Sequence, residues 1–491
     1  MLKYFFSVSG RNIWLQFAAQ LEQRQIAIPC LWIGDPRLES AAKSALPDCD
    51  VIDFDGLRYS PHLQTADISV NNLHFLDSGD FHRVKDNAAK MMDRIDTGKS
   101  WSRLDREAAI LSVIFWGVGK INKHKPNFFF AIESPHVYTS YILYELCRYY
   151  NIPTFTLGWF PLSGGLYLRK GINDQLIPYS GPRDVSIDLK MWEKFEQYAE
   201  TVCASSVVPW EPSYMRHQKT KHIGDGKRYF SYVSQKTRGK LRRLLKPSRF
   251  MSVTKGYFRD RSRLQYISSL QENIDMLASE GHDLQKPFAY FPLQYEPERT
   301  TNPDGLKYTD QIQALAALRD SLPEDFTIYV REHPSQLYSS TRGFLGRSLE
   351  FYRAIKSIQG VQLLRNDDIS SAELIKYASI TATISGTAAL EAALIGKKSL
   401  LFGHSWFSGC PNVANFDRHI DLPKFIAEPA NDPSDVREFL RNRFVTYTFP
   451  GYQNPSQKKL YPNIADDPKY QHLEIEGLLH SVAKDLIPCL K

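Results

Sequence analysis

The sequence offers no cysteine pairing scheme. Its six cysteines, Cys30, Cys49, Cys147, Cys203, Cys410 and Cys489, stand singly, and no two share a Cys-x-x-Cys spacing. That argues against a disulfide framework and a cysteine-based zinc site, and for reduced thiols in a cytosolic protein. No window approaches the roughly 20 apolar residues of a membrane-spanning helix. The apolar run near Met1 is too short for a signal peptide, and no small-residue cleavage site follows it. The expected location is the cytoplasm, with contact to the inner membrane face left open.

What is present is ordinary in bulk and uneven in detail. The chain has 491 residues, enough for two α/β domains, with 43% hydrophobic and 23% charged residues. Aromatics reach 13%, a share that suits both cores and sugar-lined clefts. Residues 216–263 hold sixteen Lys or Arg against two acidic residues, Asp225 and Asp260. That segment carries +14 while the chain carries +7, so the remainder is about −7. No zinc finger, helix-turn-helix or RNA-binding signature accompanies it, so nucleic acid is not an expected partner. An anionic membrane surface and a solvated inter-domain face are its two readings, with the amphipathic run from Lys236 to Lys246 at its centre.

Hydrophobic periodicity predicts two series of alternating strands and helices. In the first, residues 2–8 read as a strand, 9–12 as a turn and 13–22 as an amphipathic helix. Residues 26–33 form an apolar run that Pro29 interrupts. Residues 127–132, 138–149 and 154–157 read as strand, helix and strand, the unit of a parallel sheet. The second series starts near Lys286, with strands at 288–293, 327–330, 380–384 and 399–402. Helices at 310–318, 373–378 and 388–394 separate them, and the tail has helical pieces including 472–485.

Three polar turns fall where strands of the second series end, the edge at which open parallel sheets bind ligands. The first is Arg331-Glu332-His333-Pro334. An Arg and a His there can donate to a phosphate, although a solvated Arg and a turn-capping His would read the same. The second is Ser385-Gly386-Thr387, before the helix that carries Glu391. Small residues admit close backbone approach, a helix start suits a phosphate, and Glu391 could accept from ribose hydroxyls; ordinary N-capping is the plainer alternative. The third is the long polar loop with Glu296, Thr300 and Thr301, closing at Asp310 and Gln311.

In the first series Glu133 follows a strand directly and precedes His136, so it is the candidate general base or nucleophile. Gly10 and Arg11, in the first turn, are weaker cleft candidates beside His136.

The run from Tyr290 to about Gly409 resembles the capsule polysaccharide biosynthesis group that includes the retaining β-Kdo transferases. The resemblance is carried by residues 291–301, by Tyr308-Thr309-Asp310-Gln311, by the turn ending at Pro334, and by residues 385–403. The His333 and Ser385 turns also resemble motifs of bacterial sialyltransferases, which use a cytidine monophosphate donor. Residues 385–394 are similar to the donor-side motif of lipid A disaccharide synthase. A lysine usually precedes Glu-His-Pro in the group; Arg331 keeps the charge and changes the geometry.

The resemblance implies an α/β fold of two Rossmann-like domains in a GT-B arrangement with a cleft between them. It implies a metal-independent glycosyltransferase with no cofactor, in which His333 contacts the donor phosphate and Ser385 and Thr387 line the same pocket. No Asp-x-Asp pair stands in a convincing strand-end setting. The expected organisation is an N-terminal acceptor domain (1–205), a basic helical segment (206–284), a C-terminal nucleotide-sugar domain (285–430) and C-terminal helices packing back (431–491). The expected donor is CMP-Kdo or a similar CMP-linked acid sugar, and the expected acceptor a surface or capsular polysaccharide, as a glycan or lipid-linked glycan. A polymerase transferring glycerol phosphate from a CDP donor, a nucleotide-sugar epimerase and a non-catalytic membrane-associated scaffold are the alternatives.

Overall fold

A computed structural model describes residues 1–53, 73–98, 100–161, 164–172, 175–204, 218, 247–279, 281–459 and 462–490. Most of the basic segment, including Lys236–Lys246, lies outside the described residues.

The first sheet is built on five parallel strands: β1 (Leu2–Ser7), β2 (Ala27–Gly34), β3 (Asp50–Asp53), β4 (Phe128–Ala131) and β5 (Thr154–Phe160). β6 (Gly165–Lys170) and β7 (Gln175–Ile177) extend it antiparallel. The order β6-β5-β4-β1-β2-β3 puts a topological switch between β1 and β4. Alternation sorts the side chains. Phe5 and Phe129 pack under the helices Arg103–His124 and Tyr138–Tyr149, while Tyr4, Phe6, Phe128 and Phe130 face Trp14 and Phe17 of the helix Ile13–Gln23.

Pro29 does not end its strand. Tyr4 pairs with Pro29 but Phe5 pairs with Leu31, so Cys30 is the extra residue of a bulge. The bulge absorbs the ladder bond that proline cannot donate.

The second sheet contains β8 (Phe288–Pro292), β9 (Thr327–Arg331), β10 (Val361–Leu364), β11 (Ile380–Thr383), β12 (Ser399–Leu401) and β13 (Val413–Asn415). Every pairing is parallel and the order is β10-β9-β8-β11-β12-β13. Counted from its own first strand this is 3-2-1-4-5-6, the doubly wound dinucleotide-binding order, with the switch between β8 and β11.

The tail returns to the first sheet. β14 (Thr448–Pro450) pairs antiparallel with β6, and Leu478, Leu479 and Val482 join the core beside Phe130. The last long helix is Pro468–His480, followed by a wider turn at Ser481–Leu486, so the run expected at 472–485 is two pieces. A further core joins the two halves: Phe160 and Tyr167 meet the helix Ala388–Leu394 and Trp406, whose ring lies 4.3 Å from Phe160.

Candidate functional site

The carboxyl ends of β8, β9 and β11 form one corner. Leu293 N–H donates to the Arg331 carbonyl (2.8 Å), tying the first two ends together. Gln294 then bridges to the third. With its amide oxygen turned to the Ser385-Gly386-Thr387 turn, it accepts from Gly386 N (2.5 Å), Ser385 N (3.0 Å) and Thr383 Oγ1 (2.9 Å). A Cβ on residue 386 would lie 2.7 Å from the Gln294 amide and 2.9 Å from Thr383 Oγ1, so any larger residue displaces Gln294 from the turn. Ser385 Oγ donates to the Thr300 carbonyl at 2.6 Å.

These contacts correct one expectation. Two N–H groups of the turn are engaged by Gln294 rather than open toward a phosphate. Gln311 is likewise a support: its side chain exchanges two hydrogen bonds with the Gln294 backbone (2.7 and 3.1 Å). Asp310 is exposed and caps its own helix through Ile312 N (2.8 Å). Thr301 is buried, with Oγ1 donating to the Glu298 carbonyl (3.0 Å). Glu391 accepts from Thr387 Oγ1 (3.0 Å), one turn into the helix, and burial raises its pKa.

The turn after β9 divides its residues between foundation and face. Glu332 points inward: Arg347 Nε donates to it at 2.6 Å and Nη2 at 3.0 Å, and the Tyr352 hydroxyl at 2.7 Å. The same guanidinium reaches Glu296 at 3.2 Å, and its side chain is 0% exposed. Glu332 therefore holds the turn and is no ligand contact, and Glu296 shares that anchor. Arg331 is turned sideways, with Nη1 on Ser371 Oγ (2.5 Å) and Nη2 on the Asn366 carbonyl (2.7 Å).

His333 is half-buried beside Tyr295, ring centroids 5.8 Å apart. Its Nδ1 accepts from Ser335 N (3.2 Å), which leaves the hydrogen of the neutral ring on Nε2. Burial pushes its pKa down to about 4. At neutral pH it is an uncharged donor.

The first sheet brings Glu133, Ser134 and His136 to the end of β4. Glu133 Oε2 lies 3.3 Å from Arg299 Nη1, and Ser134 Oγ donates to Asp304 Oδ1 at 2.6 Å. Arg299 Nε is 3.5 Å from Asp304 Oδ2, and Arg169 on β6 donates to Ser134 Oγ. Desolvation raises the Glu133 pKa against the opposing pull of Arg299 and Arg94. His136 Nδ1 faces the Ser134 carbonyl (2.9 Å), and burial pushes its pKa down to about 3. The carboxyl end of β4 thus meets the loop after β8 through direct hydrogen bonds and ion pairs.

Gly10 and Arg11 do not enter this seam. A Cβ at Gly10 would lie 2.6 Å from the Asp35 carboxylate. Arg11 forms a two-point pair with Glu474 (2.6 and 2.8 Å) and stacks on Tyr452, locking the first turn to the last long helix. Arg94, Arg169, Asp304, Arg347 and Gln294 are the seam and corner residues that sequence reasoning missed. Their roles depend on partners distant in the chain, 15 positions for Arg347 to Glu332 and 170 for Ser134 to Asp304.

Among the described residues no group of three His, Cys, Asp or Glu side chains could hold a metal ion. One correction applies to the expected lack of an Asp-x-Asp pair. β3 ends on Asp53, the first residue of Asp53-Phe54-Asp55, whose other two residues lie outside the described residues.

No protein-family model matches the chain, and no curated protein matches it. Solved structures do. KpsC, the β-Kdo 2,7 transferase of Thermosulfurimonas dismutans, is 11% identical with a TM-score of 0.29, over 75% of this chain and 97% of its own. The β-Kdo 2,4 transferase of the same organism's KpsC is 13% identical, with a TM-score of 0.24, over 63% and 86%. The UDP-GlcNAc 2-epimerase of Neisseria meningitidis is 11% identical, with a TM-score of 0.21, over 100% and 99%. β-Kdo transferases, the group the sequence resembles, are thus among the structural likenesses. At these TM-scores the likeness is one of outline, and the fold class stands on the two sheets themselves.

Proposed function

We propose that the chain is a glycosyltransferase of GT-B type that moves a sugar from a nucleotide donor to a glycan acceptor. One observation carries the reading: the switch point of a 3-2-1-4-5-6 parallel sheet, with His333 beside it, faces Glu133 at the switch point of a second sheet. The nucleotide belongs to the corner made by the loop after β8, His333 and the Ser385-Gly386-Thr387 turn. The acceptor belongs to the side of Glu133.

In the transfer, an acceptor hydroxyl oxygen bonds to the anomeric carbon as that carbon's bond to the donor phosphate breaks. The nucleotide leaves with the electron pair. His333 donates from Nε2 to the departing phosphate oxygen, a neutral hydrogen bond aimed at developing charge. Glu133 takes the hydroxyl proton; desolvation brings its pKa toward the range useful for a general base. Arg299 balances its charge until then.

The donor we propose is a CMP-linked acid sugar, from the resemblance of residues 290–409. A thermal-shift panel with CMP, UDP, GDP and ADP tests this by mass action. Stabilisation by CMP alone is expected; stabilisation by UDP alone overturns the cytidine donor. Product analysis tests the reaction, and a phosphodiester product, or isomerisation of donor without acceptor, overturns sugar transfer.

A further inference from the structure

A cavity of about 240 Å³ opens on the seam, away from the Ser385-Gly386-Thr387 turn. One wall is the helix Gly79–Met92 and the turn after it, which supply Lys90, Met91 and Arg94 from the first half. The other is the loop after β8 and the start of the helix Leu349–Ser357, which supply Glu296, Glu298, Asn302 and Phe351. Drug-sized ligands occupy pockets from about 300 Å³ upward, so this one has room for a single ring and not for a whole nucleotide sugar.

Its chemistry is two-faced. Met91, Pro297, Leu345 and Phe351 give an apolar wall; Phe351 is half-buried, with the Arg347 guanidinium 4.5 Å from its ring centroid. The polar wall is unsaturated. Asn302 is 4% exposed and donates Nδ2 to the Asn87 carbonyl (3.0 Å), which fixes the amide; its Oδ1 has no hydrogen-bond partner among the described residues. Glu296 Oε1 accepts no hydrogen bond among the described residues either; Lys90 Nζ lies 3.4 Å from it, and Arg347 holds the other carboxylate oxygen at 3.2 Å. Buried acceptors of this kind call for donors, and hydroxyl groups supply them. Cations and carboxylates balance along the lining, so the pocket does not select a net charge.

The cavity also touches the reacting side. Arg94 donates to the His136 carbonyl (3.2 Å), and Glu298 is 3.8 Å from Arg94 and accepts from Arg299 N (3.1 Å). Arg299 in turn reaches Glu133.

We propose that this seam pocket is a subsite for one hydroxyl-rich sugar ring, stacked on Phe351 and hydrogen-bonded to Asn302 and the Glu296–Glu298 loop. The inference rests on the proposed transferase reading and adds to it the place where a ring sits. Because both halves line the pocket, ring binding holds the seam closed. The ring comes either from the donor's sugar or from the end of the acceptor glycan.

Saturation-transfer NMR on the full chain tests it. The probes are glucose, N-acetylglucosamine, glucuronate, CMP-sialic acid and UDP-N-acetylglucosamine, each read at its ring protons. Phe351→Ala is expected to cut the ring signal at least tenfold and Phe351→Tyr to restore it. Glu298→Gln, at a side chain 40% exposed, gives a second variant that keeps the fold if Phe351→Ala does not. Loss confined to nucleotide-linked probes assigns the donor's ring, and loss with the free monosaccharides assigns the acceptor's. Ring signals absent for every probe, or equal in wild type and folded variants, overturn the subsite. Nucleotide protons report separately. If they bind while ring signals do not move, the subsite fails and the transferase reading stands; if only free sugars bind, the reverse holds.

Discussion

At the scale of single residues, burial decides protonation. His333 and His136 have pKa values pushed down to about 4 and about 3 from an ordinary 6.5, with desolvation the largest cause. The unfolded chain binds protons that the folded chain refuses, so stability is complete above about pH 6.5 and declines as pH falls toward 4. Thermal melts across that range should show the decline, and His136→Gln should flatten it. A slope unchanged by that substitution would remove His136 from the account. The Nε2 hydrogen of His333 leads to a second expectation. His333→Ala should lower turnover by about 10²–10³-fold, the usual cost of one leaving-group donor, while its melting temperature stays near wild type. Turnover within a few-fold of wild type would deny the residue that role.

At the scale of elements, the site's turns are held by side chains from elsewhere. The turn after β9 stands on Arg347, which bridges Glu332 and Glu296 from the segment before the helix Leu349–Ser357. Arg347→Ala leaves the buried Glu332 carboxylate without its cation and Glu296 with Lys90 alone at 3.4 Å, and should cost about 3–5 kcal/mol, read as a lowered melting temperature. Gly386→Ala is a sharper test of the corner. Its methyl would press on Gln294, so nucleotide-induced stabilisation should fall while the unliganded protein remains folded. The strands at 288, 327, 380 and 399 were legible because each is a short apolar run closed by a polar turn. β3, with an even half-buried pattern, carried no such signal, and β6, β7 and β14 owe their existence to antiparallel pairing that periodicity does not encode. Glu332 shows the limit for sites. A motif position marked it as polar and turn-borne, but Tyr352 and Arg347, which turn it inward, arrive by tertiary folding.

At the scale of the molecule, the two sheets are joined by an apolar core around Phe160 and Trp406 and by the polar seam at the cleft. The polar seam mixes long ion pairs, Glu133–Arg299 at 3.3 Å and Arg94–Glu298 at 3.8 Å, with the short Ser134–Asp304 hydrogen bond at 2.6 Å. No helix among the described residues is long and apolar enough to cross a membrane. Surface binding remains a separate expectation, set by the +14 of residues 216–263. Each Lys or Arg near anionic lipid contributes about 1 kcal/mol, so neutralising the cations between Lys236 and Lys246 should release the protein from phosphatidylserine vesicles at low salt. Binding that survives the change would assign that charge to solvent.

The sequence by itself determined the class of the fold and marked the strand ends at which the candidate site residues stand. Continuous apolar strands report parallel sheets buried on both faces, and polar turns that break them report carboxyl ends. Only the tertiary structure decided which of those polar residues face the cleft. Strand order set His333 beside the switch point and Glu133 opposite it, whereas long-range partners drew Arg11, Gln311 and Glu332 into the scaffold. Local pattern fixes where a side chain leaves the backbone; what it meets depends on chain segments folded against it from far along the sequence.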